Sequence, residues 1–296
     1  MAHTIASFEK LAREGLYEVI DLHSKRLTSQ WKRLVTVITT RQDFEEFHGI
    51  SDFGLAQVTN ELEQVNYDSL RQGFNSKWYP LMRTIGFQVS KQAKVTDQYN
   101  KVREPGRKLA LALNQTKEFH VAGLFNFGFS TSYLGPDAKS LFATDHPLES
   151  GTNSNRLTTD LALDIAAMEL MVTELALQKS HRGNPMPVTE NVKLTVPRTL
   201  WMLAARLTGS AKLPQSNDND PNPAGQRMDM SVNDFLSSTT AYFAHTSEAS
   251  MFLLTRIPMF TEVEYEQDIQ GYKTVAGEEY AAGWKDWRGT IASRGA

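Results

Sequence analysis

No cysteine occurs anywhere in the 296 residues. Disulfides, thiolate nucleophiles, zinc fingers and iron–sulfur clusters are excluded together, so any robustness must come from packing or association. Long apolar runs are missing too: no stretch approaches the run of about 20 residues that a membrane helix needs. Residues 1–20 alternate charged and apolar positions instead of following the basic-then-apolar layout of a signal peptide. These absences fit a chain made in a reducing cytoplasm and predict no membrane contact. Neither sign of charge dominates: 31 Lys and Arg against 34 Asp and Glu leave a net charge of −3 and no global basic field. Motifs of chemistry are also absent. The seven histidines are dispersed, with no His-Glu-x-x-His and no pair at i and i+4, and no Gly-x-Gly-x-x-Gly, Walker loop or Gly-x-Ser-x-Gly elbow occurs. No catalytic residue, cofactor or metal is expected. Asp145–His146 could be read as half an acid–base pair, but adjacent residues orient each other poorly. The better reading is a ring whose nitrogens tie its loop to backbone groups before Pro147.

What is there is an ordinary globular balance, 41% hydrophobic and 22% charged, on a chain long enough to bury a sizeable core. Residues 4–40 space Ile5, Phe8, Leu11, Leu16, Val19, Ile20, Leu27, Trp31, Leu34 and Val35 as a helix, with a basic run at Lys25, Arg26, Lys32 and Arg33 on its solvated face. An aromatic-rich connector over 39–55 predicts an extended segment laid on another surface. Residues 56–92 read as a two-stranded ribbon: Val58, Leu62, Val65 and Tyr67 going out, a tip within 68–77, and Ile85, Phe87 and Val89 alternating on return. Such a ribbon is marginal alone and invites pairing with something else. Beyond residue 157, Thr158-Thr159-Asp160 is expected to cap a helix striped by Leu161, Ile165, Met168, Val172 and Leu175. Val192–Val196 predicts a strand, Leu200–Leu207 a short helix, and 208–231 a polar surface loop. Separate strands are expected around 252–257 and 263–265, followed by a region rich in Trp284 and Trp287. With no internal repeat and no clean linker, one interleaved α+β body is expected.

The centre of the chain is 97–155. A long helix carries Leu109, Ala112, Leu113, Thr116, Phe119, His120, Gly123, Leu124 and Phe127 at helical spacing, with Pro105-Gly106 predicting a kink or fresh start. The loop that follows, Gly135-Pro136-Asp137-Ala138-Lys139-Ser140-Leu141-Phe142-Ala143-Thr144-Asp145-His146-Pro147-Leu148, carries its own apolar anchor in Leu141-Phe142. In order and spacing, Asn66-Tyr67-Asp68, Gln72-Gly73-Phe74, Ile85-Gly86-Phe87-Gln88-Val89-Ser90, Asp97-Gln98-Tyr99, the 135–155 loop, Asn222-Pro223 and Asp286-Trp287-Arg288-Gly289 resemble the tailed-phage major capsid proteins of the Mu-like major head subunit type.

That resemblance implies the Hong Kong 97-type capsid fold: an N-terminal arm over 1–55, an E-loop over 56–95, a P-domain with its spine helix over 96–157, an A-domain over 158–258, and a return to the P-domain over 259–296. It implies a structural protein of the virion, assembled in the host cytoplasm. Copies of itself in hexamers and pentamers would form the icosahedral or prolate shell, enclosing double-stranded DNA without reading its sequence. The arm-like helix begins almost at Met1, so a separate scaffolding protein is expected, along with a portal protein and a possible decoration protein. Within the E-loop, Tyr67, Phe74, Lys77, Trp78 and Tyr79 are the expected inter-subunit contacts. An encapsulin-like compartment or a gene-transfer-agent shell would share this fold. An unrecognised soluble enzyme is the reading from another class.

Overall fold

In chain order the strands are β1 (Thr36–Thr39), β2 (Glu45–Ile50), β3 (Gln72–Trp78), β4 (Leu81–Ser90), β5 (His146–Pro147), β6 (Thr152–Asn153), β7 (Val192–Pro197), β8 (Met228–Asn233), β9 (Tyr242–His245), β10 (Met251–Glu266), β11 (Gly271–Trp284) and β12 (Thr290–Ser293). The helices are α1 (Arg103–Asn126), α2 (Ile165–Ala176), α3 (Trp201–Thr208) and α4 (Pro223–Arg227). The computed structural model describes residues 20, 22, 24, 28–92, 103–186, 192–210, 212, 220–247, 249–268 and 270–296. One sheet has the order β1-β10-β11-β4 and a second the order β12-β9-β7-β8, while β2 and β3 form a separate two-stranded ribbon.

The first sheet is built on the antiparallel β10–β11 hairpin. Sequence periodicity splits β10 into two strands, but it is one strand, with register shifts between Thr255 and Ile257 and between Ile257 and Phe260. Pro258 lies in that interval. It has no N–H for the ladder, so the strand bulges, and the alternation of inward and outward residues slips there. Residues 36–39, read as the end of a helix, form β1 instead, parallel to β10. Thr36-Val37-Ile38-Thr39 is a β-branched run that loses side-chain freedom in a helix and fits a pleated sheet. Residues 1–19 and most of 21–27, where the rest of that helix was expected, lie outside the described residues.

The spine helix α1 runs from Arg103 through Pro105-Gly106 to Asn126. Its large or aliphatic buried residues are Leu109, Ala110, Leu113, Val121, Ala122, Leu124 and Phe125, whereas Phe119, and Phe127 just past the helix end, are exposed. The expected stripe is therefore rotated. Glu118, a buried carboxylate, accepts the backbone N–H groups of Gln30 (2.7 Å) and Trp31 (2.9 Å) and so fixes the 3-10 turn Trp31–Arg33 against the helix. Sequence spacing assigns a glutamate to the solvent side, so this inward carboxylate displaced the reading.

Between the two sheets, α1 and the anchored loop fill the seam. Phe125, Leu141, Phe142, Phe243, Leu253, Tyr280 and Ala292 belong to one continuous cluster contributed by both sheets, so the body is interleaved as expected. On the second sheet, Met168, Met171 and Leu175 of α2 and Ala204 and Leu207 of α3 pack against Leu194 and Val196 of β7. The cap of α2 is Asp164, which accepts from Ala167 N at 2.7 Å; Asp160 of the expected cap is paired with Arg156 instead. Part of the expected polar loop 208–231 is also ordered differently. Asn222 caps α4 by accepting from Gly225 N at 2.9 Å and donates to Leu207 O at 2.7 Å, and β8 begins at Met228. The Asn222-Pro223 pair is an N-cap followed by a proline in the first turn, a helix start hidden among loop-like residues.

The 56–92 ribbon is corrected as well. No strand forms over 56–67, and the expected tip is occupied by β3, which pairs with β2. The returning strand β4 pairs with β11, not with the outgoing segment. Tyr79-Pro80 separates β3 from β4, and the two do not pair with each other: β3 belongs to the ribbon with β2, and β4 enters the sheet beside β11.

Candidate assembly surface

The surface that stands out is the arm between β2 and β3. Every residue over 53–71 is exposed, including Leu55, Val58, Leu62, Val65 and Tyr67. A soluble chain scatters its exposed apolar side chains singly, and a run of them along one projecting element marks an interaction site. The root of the arm is firm. Phe47 of β2 packs tilted against Phe252 at 4.9 Å, and Trp78 of β3 meets Phe252 at 5.6 Å and Trp284 at 6.0 Å. Lys285 lies 4.0 Å over the Phe47 ring. Trp78 covers Gly283, where a Cβ would come within 2.6 Å of the indole.

A second apolar feature lies beside the root. A groove of about 480 Å³ is lined by Tyr79 and Leu81, by Phe119 on α1 and Phe127 just past its end, and by Tyr133 and Leu134 beyond it. Arg83 and His120 stand in its wall. Arg83 donates to Tyr280 O at 2.8 Å and lies 4.3 Å over the Tyr280 ring. Burial, reinforced by the Arg83 charge, pulls the His120 imidazole down to about 4, so the ring is neutral at physiological pH. Burial also raises the Glu278 carboxyl, opposed by its ion pair with Lys117.

A family model for phage capsid protein matches residues 80–293, most of the chain. The chain belongs to the phage capsid protein family. It is a structural protein, a major capsid protein of the virion, and its fold is of the Hong Kong 97 type. No curated protein matches the sequence. Among solved structures it is similar to the capsid of a native GTA particle (TM-score 0.60, 10% identity, covering 91% of each chain). It is also similar to a virus-like particle from Pyrococcus furiosus (0.56, 10% identity, 95% of this chain and 98% of that one) and to the Mycobacterium phage Adephagia structure (0.57, 9% identity, 90% of each). At these identities the likeness speaks for the fold alone.

Within this capsid protein the five expected contact residues fall into different surroundings. Tyr67 and Tyr79 are exposed, with Tyr79 5.6 Å from Phe44. Phe74 is partly exposed and edge-on to His181 at 5.9 Å. Lys77 pairs with Glu46 at 3.2 Å, and Trp78 spends its ring on the subunit's own core. His146 is fully buried and stacked on Trp287 at 4.3 Å. Its partners are side chains rather than the backbone groups expected: Nδ1 meets Asp137 at 2.5 Å, and Nε2 meets Asn155 Oδ1 at 3.0 Å. Asn155 in turn donates to Leu141 O at 2.7 Å and to Thr290 Oγ1 at 3.1 Å, so this network fastens the anchored loop to β12. Asp145, the sequence neighbour, points outward to Lys139.

What the sequence reading missed is the turn at 180–184. Arg182 donates to the Asp68 carboxylate and to Ser69 O at 2.8 Å. Asp68 stands 114 residues away, and no spacing rule links the two. Among the described residues no group of His, Asp and Glu is placed to hold a metal ion, and no helix is long and apolar enough to cross a membrane.

Proposed function

We propose that this capsid protein closes into an icosahedral or prolate shell around double-stranded DNA, each copy laying its 53–71 arm on the apolar groove of the next. The observation that carries the reading is the arm itself: an unbroken exposed stretch with Leu55, Val58, Leu62, Val65 and Tyr67 unburied in its own subunit. The contact is heterologous, arm to groove, and such contacts close into rings of five and six. Each contact can be modest, because a shell makes many at once and they act multivalently. Tyr67, Phe74 and Tyr79 are the expected contact residues with exposed ring surface; Lys77 and Trp78 belong to the root that supports them. The division into N-terminal arm, E-loop, P-domain and A-domain given above is kept as part of this reading. So are assembly in the host cytoplasm on a separate scaffolding protein, a portal at one vertex and a decoration protein on the outer face.

The test is expression of the chain alone and with its candidate scaffold, followed by sucrose-gradient sedimentation and negative-stain microscopy of the fast fractions. Closed shells or tubes are expected, and they should vanish when 54–70 is replaced by a short Gly-Ser linker. A wider deletion would remove β4 from the first sheet and unfold the subunit. Particles that persist without the arm would overturn the reading, and so would a parent chain that stays monomeric under both conditions. Particles free of DNA when made alongside the packaging proteins would favour a compartment of the same fold.

A further inference from the structure

The arm is long and exposed, and beyond the root packed at Phe47 and Trp78 it is carried by a two-stranded ribbon alone, a unit marginally stable by itself. Its ends close on each other through Ser51 N to Arg71 O and Arg71 N to Ser51 Oγ, both 2.9 Å, which is a hinge and not a brace. Among the described residues, the polar contacts tying 52–71 to the body converge on one place. Asp52 accepts from Ser180 Oγ at 2.6 Å and from Asn184 Nδ2 at 3.2 Å, Arg182 clasps Asp68 and Ser69, and Arg71 pairs with Glu149.

That place is rigid. The turn closes through Ser180 N to Asn184 O at 2.8 Å and Gly183 N to Ser180 O at 3.0 Å, with Gly183 at φ +88°, a conformation that glycine adopts without steric cost. Glu149 N to His181 O at 2.9 Å joins it to the neighbouring loop. Just before the turn, Gln178 Nε2 donates to Thr290 O and Gln178 Oε1 accepts from Gly289 N, both at 2.8 Å, so the turn is rooted at β12. The Arg182 hydrogen bond holds the Asp68 carboxyl down at about 2, so the clasp is charged throughout the physiological range.

We propose that the 180–184 turn is a bracket: Ser180, Arg182 and Asn184 fix the angle of the arm within the free subunit, before any neighbour is met. The proposal rests on the reading of the arm as the contact element and adds what aims it. An arm held at one angle loses less conformational freedom on docking, which favours association, and gives every copy the same reach. Arg182 is a positioning residue here and touches no neighbour itself.

The test uses the absence of cysteine. Leu62→Cys at the tip and Met202→Cys on α3, both exposed, take nitroxide labels without competition. Double electron–electron resonance on the soluble subunit then reads the spread of arm-to-body distances. A narrow distribution is expected for the labelled parent, and one about twofold wider for Asp52→Ala with Asp68→Ala. Asp68 lies in the exposed arm, so its loss leaves the core untouched, and the melting temperature should stay within about 2 °C of the parent. Arg182→Ala approaches the same clasp from the other side. Distributions as narrow as the parent's in both the double variant and Arg182→Ala would overturn the bracket. This readout needs no assembly, so it stands or falls apart from the shell itself. If the parent makes particles, the double variant should give a broader range of sizes.

Discussion

His245 is 4% exposed, donates from Nε2 to Arg33 O at 3.3 Å, and lies opposite Lys193 across the β7–β9 pair. Burial drives its imidazole down to about 4, with the Lys193 charge adding to the effect and the Arg33 carbonyl opposing it. The unfolded chain takes up this proton near 6.5 and the folded chain only near 4. Stability is therefore lost as pH falls through that window, by on the order of 3 kcal/mol from this ring. Glu118 and Glu278 act in the opposite sense, because burial raises their carboxyls and the folded state binds their protons more tightly. His245→Gln isolates the histidine: thermal melts from pH 7 to pH 4 should show a shallower fall than the parent's. Gly283 and His146 give two further single-residue expectations. Gly283→Ala drives a methyl into the Trp78 indole and should cost about 1–3 kcal/mol in a urea titration, as overpacking does. His146→Ala leaves Asp137 and Asn155 without the ring they share and should cost about 1–3 kcal/mol by the same measurement, the usual penalty for leaving a buried polar group unsatisfied.

At the scale of elements, the sequence was most readable where one physical signal acted alone. The α1 helix, β7, α3 and the Leu141-Phe142 anchor all follow from periodicity or from an apolar pair in a loop. Reading failed where a tertiary partner overrode the local signal. Phe119 on α1 and Phe127 just past its end continue a core-like spacing, yet they line a surface groove, because the inward positions are taken by Val121, Ala122 and the Glu118 cap. The ribbon was recognised as a kind of object but paired wrongly: its outgoing strand was placed on 56–67, whereas β3, within the expected tip, pairs with β2, and β4 pairs with β11. A consequence belongs to this scale. Phe119→Asp with Phe127→Asp should leave the subunit folded, because both rings are exposed, yet abolish fast-sedimenting particles by placing charge in the groove. Normal melting together with normal particles would show that the groove is not where the arm lands.

For the whole molecule, family-level order of motifs carried the reading of function, and composition carried what it is not. The surroundings that make the arm usable were illegible, because the Arg182 clasp and the Trp78 root join residues far apart in the chain. One consequence concerns force. Because only Tyr79-Pro80 separates β3 from β4, tension on the arm enters β4 at its Leu81 end, and β4 is bonded to β11 from Leu81 to Ser90. Pulling along a strand loads all of its cross-strand bonds together in shear, whereas pulling across it opens them one by one like a zipper. A shell subunit tugged by its neighbour therefore meets its load in the stronger geometry. In single-molecule pulling, a handle at residue 62 should rupture at a markedly higher force than one at Ser90, where the same strand peels from its other end.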